Sequence, residues 1–374
     1  MPAKPATADA AARPAAPAHP PVAASRADAS PADALLYVGL AGSVEEELAA
    51  RAGVPFQAID SGQLRGMTPW VAARNLLRAG RGVLQARQIV QRFRPDVLLV
   101  TGGFVAGPVA LAAHLAHVPV FITLPDIEPG IAIRRMSRWA DRVGVSFAEV
   151  ARWFPGKAVV TGYPVRSDIL QLAGQRRIAR QRLGLNDELP LLLVFGGSRG
   201  AHSLNTALAK ALPELLPHCQ VLHISGKLDW PAVEMQSAAL PPALAARYHA
   251  FAYLHDDMPA ALAAADLVVA RAGASTLGEF PALGLPSILV PYPYSGQHQD
   301  VNATYLAERG AAIRLADNEL AGQLAATVLG LLHQPQALAA MQQAAAALAQ
   351  PQAAANIVAE LRLLAQAQPD ASKR

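Results

Sequence analysis

LLLVFGGSRGAHSLN, residues 191–205, sets the reading of the whole chain. Its apolar run reads as a buried strand, which enters Gly196-Gly197 and then Ser198, Arg199 and Gly200. A helix is predicted to start around Ala201. Glycines let a backbone approach an anion closely, while the unpaired amides and the dipole at a helix start attract negative charge. Ser198 would add a hydroxyl donor. A glycine-rich strand-to-helix turn is common in α/β folds, so the turn taken alone leaves phosphate binding and simple chain reversal as equal readings.

Outward from this turn, short apolar runs keep alternating with helical stretches. On the amino-terminal side strands are predicted at 35–39, 55–59, 96–101, 118–123, 142–146 and 158–161. A helix over 43–53 is opened by a Ser-x-x-Glu cap and closed by glycine. On the carboxyl side strands are predicted at 191–195, 220–225, 248–253, 267–270, 287–291 and 311–314, and Ala-rich helices follow Asp317. Such alternation implies mostly parallel sheets flanked by helices. At 374 residues the chain exceeds one ordinary core, so two Rossmann-like halves are expected, with the seam near 162–187. Ligands of such sheets sit at the carboxyl ends of the strands.

Composition narrows the class. A 52% hydrophobic, 16% charged chain points to well-buried domains rather than disorder. The single cysteine, Cys219, excludes an intrachain disulfide and fits a reducing cytoplasm. Residues 1–33 are rich in Ala and Pro, with too few large apolar groups for a core, and are expected to be disordered or misassigned. They also lack the continuous apolar core of a secretory signal. Residues 97–125 carry no charge, but Gly102, Gly103, Gly107, Pro108 and Pro119 cut them into strand, loop, helix and strand, so no membrane span is read. Between Asp60 and Asp96 lie Arg65, Arg74, Arg78, Arg81, Arg87, Arg92 and Arg94 with no acidic residue, and Leu64, Met67, Trp70, Leu76 and Leu77 are interleaved. This stretch reads either as a face that lies on anionic lipid or as a solvated helix face. No recognition motif or aromatic platform accompanies the charge, which argues against nucleic acid.

Two further segments carry chemistry. In VVARAGASTLGEFPALGLPSILVPYP, residues 268–293, a strand ends at Arg271-Ala272-Gly273 and a helix is predicted from Ala274, with Glu279 about a turn and a half inside it. Too deep to cap, the Glu279 carboxylate suits a ribose diol, or else is a surface carboxylate near a helix start. SGQHQDVNA, residues 295–303, sets His298, Gln299 and Asn302 together after a strand, in what reads as a polar loop. Its amides suit sugar hydroxyls, although a single histidine there is equally a solvated one.

In their order and spacing these pieces resemble the MurG family, from about residue 35 to residue 365. The family transfers N-acetylglucosamine from UDP-GlcNAc to lipid I, an undecaprenyl-diphosphate-linked muramyl pentapeptide. GGSRGAHSLN is similar to the family's GGSQGA turn, YLHDDM (253–258) to its hinge, RAGASTLGE to its uridine and ribose element, QHQDVNA to its sugar-reading loop and TGYPVR (161–166) to its GNPVR. YVGLAGSVEEELAARAGVPF and DVLLVTGGFVAGP match its amino-terminal domain. The resemblance implies a GT-B fold, two Rossmann-like domains facing across a cleft, with an acceptor and membrane-facing domain at 34–165, a donor domain at 166–350 and a closing helix and tail at 351–374.

Carried over by those matches, Arg166, Ser198 and His298 contact the donor, together with Arg199 and Gly200 of the turn. Leu254 and His255 face the uracil, Ala274, Ser275 and Thr276 lie against the diphosphate, Glu279 binds the ribose and Gln299 reads GlcNAc hydroxyls. Gly102, Gly103 and Phe104 form the acceptor-side glycine loop. The reaction implied is a single inverting displacement, without a cofactor, on the cytoplasmic face of the cell membrane. The chain has no Asp-x-Asp pair for a divalent metal.

Two departures stand out. The family's opening strand and GGTGGH turn have no counterpart before Leu35; His19 stands at a similar distance but in PAHPP. Such a first strand is central, so its neighbours are expected to lack partners. The family's HEQN segment is replaced by Thr123-Leu124-Pro125-Asp126, which leaves Asp126 or Glu128 as candidate general base. Both also read as caps of a helix beginning near Gly130. Two alternatives therefore stay open beside the lipid I enzyme: a UDP-sugar transferase with another lipid acceptor, and a catalytically silent UDP-sugar binding homologue.

Overall fold

The computed structural model describes residues 33–60, 69–103, 105–185, 188–197, 200–294 and 298–367, with only the backbone for 69–79. His19, Arg65, Phe104, Ser198 and Arg199 lie outside the described residues, as do the side chains of Trp70, Arg74 and Arg78.

In the amino-terminal half β1 (Tyr37–Gly39) and β2 (Phe56–Ala58) pair in parallel around the Val44–Arg51 helix. The Pro69–Phe93 helix then leads to a second parallel sheet, in which β3 (Leu98–Val100), β4 (Val120–Leu124), β5 (Arg142–Val145) and β6 (Ala158–Val160) follow in chain order. β4 is VFITL, buried at every position, as an inner strand covered on both faces must be. Among the described residues β1 and β3 do not pair with each other, so this half holds two sheets and each strand lacks a neighbour on that side, as expected of the strands that flank the family's opening strand. The helix cap differs from expectation too. Ser43 occupies the N-cap, but its side chain makes no capping bond and its Oγ is buried without a partner. Glu46 reaches one residue further back and accepts the Gly42 N–H at 2.6 Å.

The carboxyl half is one six-stranded parallel sheet: β7 (Leu191–Phe195), β8 (Gln220–Ile224), β9 (Tyr248–Phe251), β10 (Leu267–Ala270), β11 (Ser287–Leu289) and β12 (Ala312–Arg314), ordered β12-β11-β10-β7-β8-β9. Leu192 and Val194 face one apolar layer, built with Leu204, Leu208, Leu212 and Val328. Leu191 and Leu193 face the other, which runs on through Ala260–264 into the amino-terminal half. Asp266 ties the strand entrances together. It accepts the Leu191 N–H at 2.7 Å and pairs with Arg176 at 2.7 Å and with buried Arg180. The Ala353–Gln366 helix returns to the first half, where Asn356 donates to the Thr161 carbonyl at 3.1 Å and Glu360 pairs with Arg142 at 2.7 Å.

Candidate active site

The strand order reverses between β7 and β10, so the turns leaving their carboxyl ends open a crevice at that point. On the β7 side the chain doubles back so tightly that a Cβ on Gly196 would overlap Ala201, and one on Gly200 (φ +76°) would overlap the Ser225 carbonyl. Ala201 is then the N-cap of the His202–Leu215 helix, as expected, and no side chain caps it. Among the described residues the first-turn amides are therefore left for a ligand or water. Beneath the turn, Asn205 donates to the Ser225 carbonyl at 2.8 Å and to Asp229 at 2.7 Å, and its Oδ1 meets His223 Nε2 at 3.0 Å. His223 Nδ1 meets the Tyr248 hydroxyl at 2.7 Å, and burial lowers the imidazole's pKa to about 4. A neutral ring that donates from Nε2 and accepts at Nδ1 satisfies both contacts.

On the β10 side Arg271 is not available to a phosphate. It is buried, pairs with Asp317 at 2.6 Å, and donates to Ser203 Oγ at 2.7 Å and to the carbonyls of Val290 and Pro291. The continuous helix predicted from Ala274 is broken. A 3-10 turn, Ala274–Leu277, ends at Gly278, and Glu279 opens a separate helix, Glu279–Leu283. Two residues cause the break. Pro281 has no N–H to return to the preceding turn, and the Tyr163 ring occupies the space where a Cβ on Gly278 would stand. Glu279 is thus in a first turn rather than a turn and a half deep. Burial raises its pKa, with Arg166 opposing and Asp168 adding to the rise. Thr276 is buried and donates its hydroxyl to the Gly273 carbonyl at 2.7 Å, which leaves backbone rather than side chain to face the crevice there.

His298 and Gln299 open the His298–Glu308 helix and are not loop residues as predicted. Gln299 Oε1 accepts the Tyr292 N–H at 2.9 Å. His298 Nδ1 is buried without a partner, and its ring approaches Gly130 of the opposite half. Asn302, expected among the sugar readers, is committed elsewhere. It donates to Asp126 Oδ1 at 3.1 Å and to the Ala272 carbonyl at 3.2 Å, and its Oδ1 accepts the Ile127 N–H at 3.4 Å. Neither Asp126 nor Glu128 caps the Ile131–Met136 helix, whose N-cap is Gly130 with no side-chain bond. Asp126 is instead the partner of Asn302 across the interdomain seam.

Tyr163, quoted in TGYPVR but given no role from sequence, sits where the halves meet. Its phenol is pushed up to about 12 by burial, then by the charges of Glu279 and Asp126. At the rim of the carboxyl half, the Tyr253 and His255 rings meet with centroids 4.5 Å apart, and Leu254 packs inward. On the other side Gly102 and Gly103 turn with φ of +111° and +84° at the end of β3. The structure therefore gathers Arg166, Glu279, His298, Asp126 and Tyr163 around the seam between two sheets, with Gly200 in the turn that leaves β7.

Comparison with known proteins agrees with this architecture. The Glycosyltransferase family 28 N-terminal domain matches residues 32–145, and the Glycosyltransferase family 28 C-terminal domain matches residues 191–357. The UDP-N-acetylglucosamine--N-acetylmuramyl-(pentapeptide) pyrophosphoryl-undecaprenol N-acetylglucosamine transferase of Roseiflexus sp. (strain RS-1) is 42% identical over 88% of this chain and 83% of its own length. The protein of the same name from Desulforudis audaxviator is 43% identical over 88% of this chain and 90% of its own. The crystal structure of Acinetobacter baumannii MurG superposes with a TM-score of 0.69 at 27% identity, over 87% of this chain and 90% of that one. The UDP-GlcNAc 2-epimerase of Neisseria meningitidis, at 14% identity and a TM-score of 0.60 over 88% of this chain and 99% of that one, shares the fold alone. With both domains matched and relatives above 40% identity spanning most of its length, the chain belongs to the MurG family of GT-B glycosyltransferases.

Proposed function

We propose that this chain moves N-acetylglucosamine from UDP-GlcNAc to lipid I, with inversion at the anomeric carbon, to give lipid II. One observation carries the reading: uncapped helix amides beyond Gly200 and the Glu279 carboxylate open at the strand-order reversal, and Asp126 of the other half stands across the seam.

In the mechanism that follows, the 34–165 half takes the acceptor and the 166–350 half the donor. The pyrophosphate lies against the amides of Gly197 and Gly200 and against the backbone of Ala274, Ser275 and Thr276, and Ser198 and Arg199, outside the described residues, are further donor contacts. Leu254 and His255 flank the uracil, Glu279 accepts from the ribose hydroxyls, and Gln299 and His298 meet the sugar, with Arg166 beside them. Asp126 or Glu128 takes the proton of the acceptor hydroxyl. The acceptor oxygen then bonds to the anomeric carbon, and the carbon–phosphate oxygen bond breaks with its electron pair leaving on UDP. Charge developing on that oxygen is met by preorganised amides and the helix dipole, an electrostatic contribution to the rate. The amide of Asn302 donates to Asp126 and holds its carboxylate in place.

The acceptor is membrane-borne, and the surface chemistry suits a peripheral position on the cytoplasmic face. Arg81, Arg87, Arg92 and Arg94 are exposed along one helix and its end, with Leu84 62% exposed among them. Leu115 and Ile131 present further apolar area, 62% and 60% exposed. Cationic and apolar groups mixed in this way favour an anionic bilayer surface. Among the described residues no helix is long and apolar enough to cross a membrane.

The test is UDP release from UDP-GlcNAc with lipid I, with diacylglycerol and with no acceptor. Release that depends on lipid I is expected. Equal or greater release with diacylglycerol moves the reading to a different acceptor, and donor binding without turnover makes the chain a silent homologue.

A further inference from the structure

On the donor reading proposed for this chain, the nucleotide follows a path across the carboxyl half. Its diphosphate lies where the strand order reverses, at the turns after β7 and β10. Its uracil lies beside Leu254 and His255, which follow β9. In the order β10-β7-β8-β9, a ligand that reaches from one place to the other crosses the end of β8. The loop at that end is Ser225-Gly226-Lys227-Leu228-Asp229.

This loop is built onto the glycine turn. A Cβ on Gly200 would overlap the Ser225 carbonyl and stand 3.3 Å from the Gly226 Cα. The first turn of the His202–Leu215 helix fastens the loop at both ends. Asn205 donates to the Ser225 carbonyl at 2.8 Å and to Asp229 Oδ2 at 2.7 Å, and His202 Nδ1 meets Asp229 Oδ1 at 2.9 Å. On the other side the Ser225 N–H donates to the Phe251 carbonyl, at the end of β9, at 3.0 Å. Gly226 takes a φ of +82°, so the chain leaves β8 in a tight turn.

Lys227 stands exposed in the middle of this loop. Asp229, two residues on, has both oxygens engaged by His202 and Asn205, and among the described residues Lys227 forms no ion pair. Its Cα lies about 3.8 Å beyond that of Gly226, and the flexible four-carbon stem of lysine carries the ammonium from there to a ligand seated on the turn. Two basic residues of the crevice are already paired. Arg271 is buried against Asp317, and Arg166 lies 3.5 Å from Asp168.

We infer that Lys227 is a further donor residue, whose ammonium pairs with the diphosphate of the nucleoside diphosphate sugar. The inference rests on the donor reading and adds to it a full positive charge, which helix amides do not supply. An exposed lysine is by itself an ordinary solvated charge. This one is carried between the two ends of the nucleotide by a loop whose position is fixed. As the carbon–oxygen bond breaks, its electron pair stays on the diphosphate and the negative charge of the departing UDP rises. The ammonium therefore stabilises the transition state more than the ground state.

The test uses the full chain with Lys227→Ala and Lys227→Arg. UDP binding is measured by calorimetry, uridine binding by competition with it, and transfer from UDP-GlcNAc to lipid I by steady-state kinetics. Lys227 is exposed, so neither change reaches the core. Lys227→Ala is expected to weaken UDP about tenfold or more, as losing a charged hydrogen bond does. Its kcat should fall as well, while uridine affinity stays within twofold. Lys227→Arg, which keeps the charge, should bind UDP within threefold of wild type. Three results overturn the inference. One is UDP affinity within twofold of wild type in Lys227→Ala, which makes the lysine a solvated charge. Another is an equal loss for UDP and uridine, which removes the diphosphate as its partner. The last is a loss in Lys227→Arg as large as in Lys227→Ala, which shows that charge is not what acts. Failure of the donor reading itself looks different, because wild type would then bind no UDP at all.

Discussion

Glu279 and His223 are two residues whose surroundings oppose their charge. For Glu279 burial raises the pKa while Arg166 opposes it, so the carboxylate protonates at a higher pH than an exposed one. Replacing it with alanine is expected to weaken UDP-GlcNAc binding by about 1–3 kcal/mol, the range for losing a buried hydrogen-bond partner. Calorimetry that finds unchanged affinity would remove the ribose assignment. Wild-type affinity should also fall on mild acidification, and that fall should be absent in Glu279→Gln. His223 acts on stability instead. Its ring stays neutral in the folded chain down to about 4, whereas an unfolded imidazole takes its proton near 6.5. Between those values the unfolded state binds more protons, so stability is full above 6.5 and is lost as pH falls toward 4. The loss approaches about 3 kcal/mol. Urea titrations at pH 7.5 and pH 5 should show it, and His223→Gln should flatten the difference.

At the scale of an element, the break at Gly278 matters most. A single helix from Ala274 would carry Glu279 round to a different face; a 3-10 turn followed by a new helix points it toward Arg166 and Tyr163. Gly278→Ala puts a methyl group into the Tyr163 ring and is expected to cost about 2 kcal/mol of stability, as overpacking does. Donor affinity should fall with it. Combining the change with Tyr163→Ala makes room for the methyl group and should return most of the stability, measured by thermal or urea unfolding. If the double variant is no better than the sum of the two single ones, ring contact is not what holds the break. The strands of the carboxyl half were legible from continuous apolar runs, because a parallel sheet covered on both faces needs them. The breaks within helices were not. Pro281 was visible, but the partner that makes Gly278 obligatory lies 115 positions away, at Tyr163.

At the scale of the molecule, the two halves are fastened through the His298–Glu308 helix. Asn302 holds Asp126 and Ile127, Tyr305 meets Phe147 with ring centroids 4.5 Å apart, and Arg309 pairs with Glu149 at 2.5 Å. The helix that opens with His298 and Gln299 on the donor side therefore also grips the acceptor side. Asn302→Ala strands the Asp126 carboxylate and the Ile127 amide, so it should cut the transfer rate at least tenfold. UDP affinity, which belongs to the donor half alone, should stay within twofold. Parallel steady-state kinetics and calorimetry check this, and an equal loss in both would make Asn302 a donor ligand after all.

By itself the sequence determined the class of fold, the twelve strands to within a few residues and the positions of the glycine turns. Those features are written in local terms: runs of apolar residues, glycine where the backbone must turn tightly, and helix starts beside them. What only the tertiary structure decided was pairing. It turned Asn302 from a sugar reader into a bolt on Asp126, committed Arg271 to Asp317, set the Tyr163 ring against Gly278 and left β1 and β3 apart. A side chain's type states what it can bond, but its partner is chosen by burial and distance among residues far apart in the chain, and those exist only once the sheets have packed.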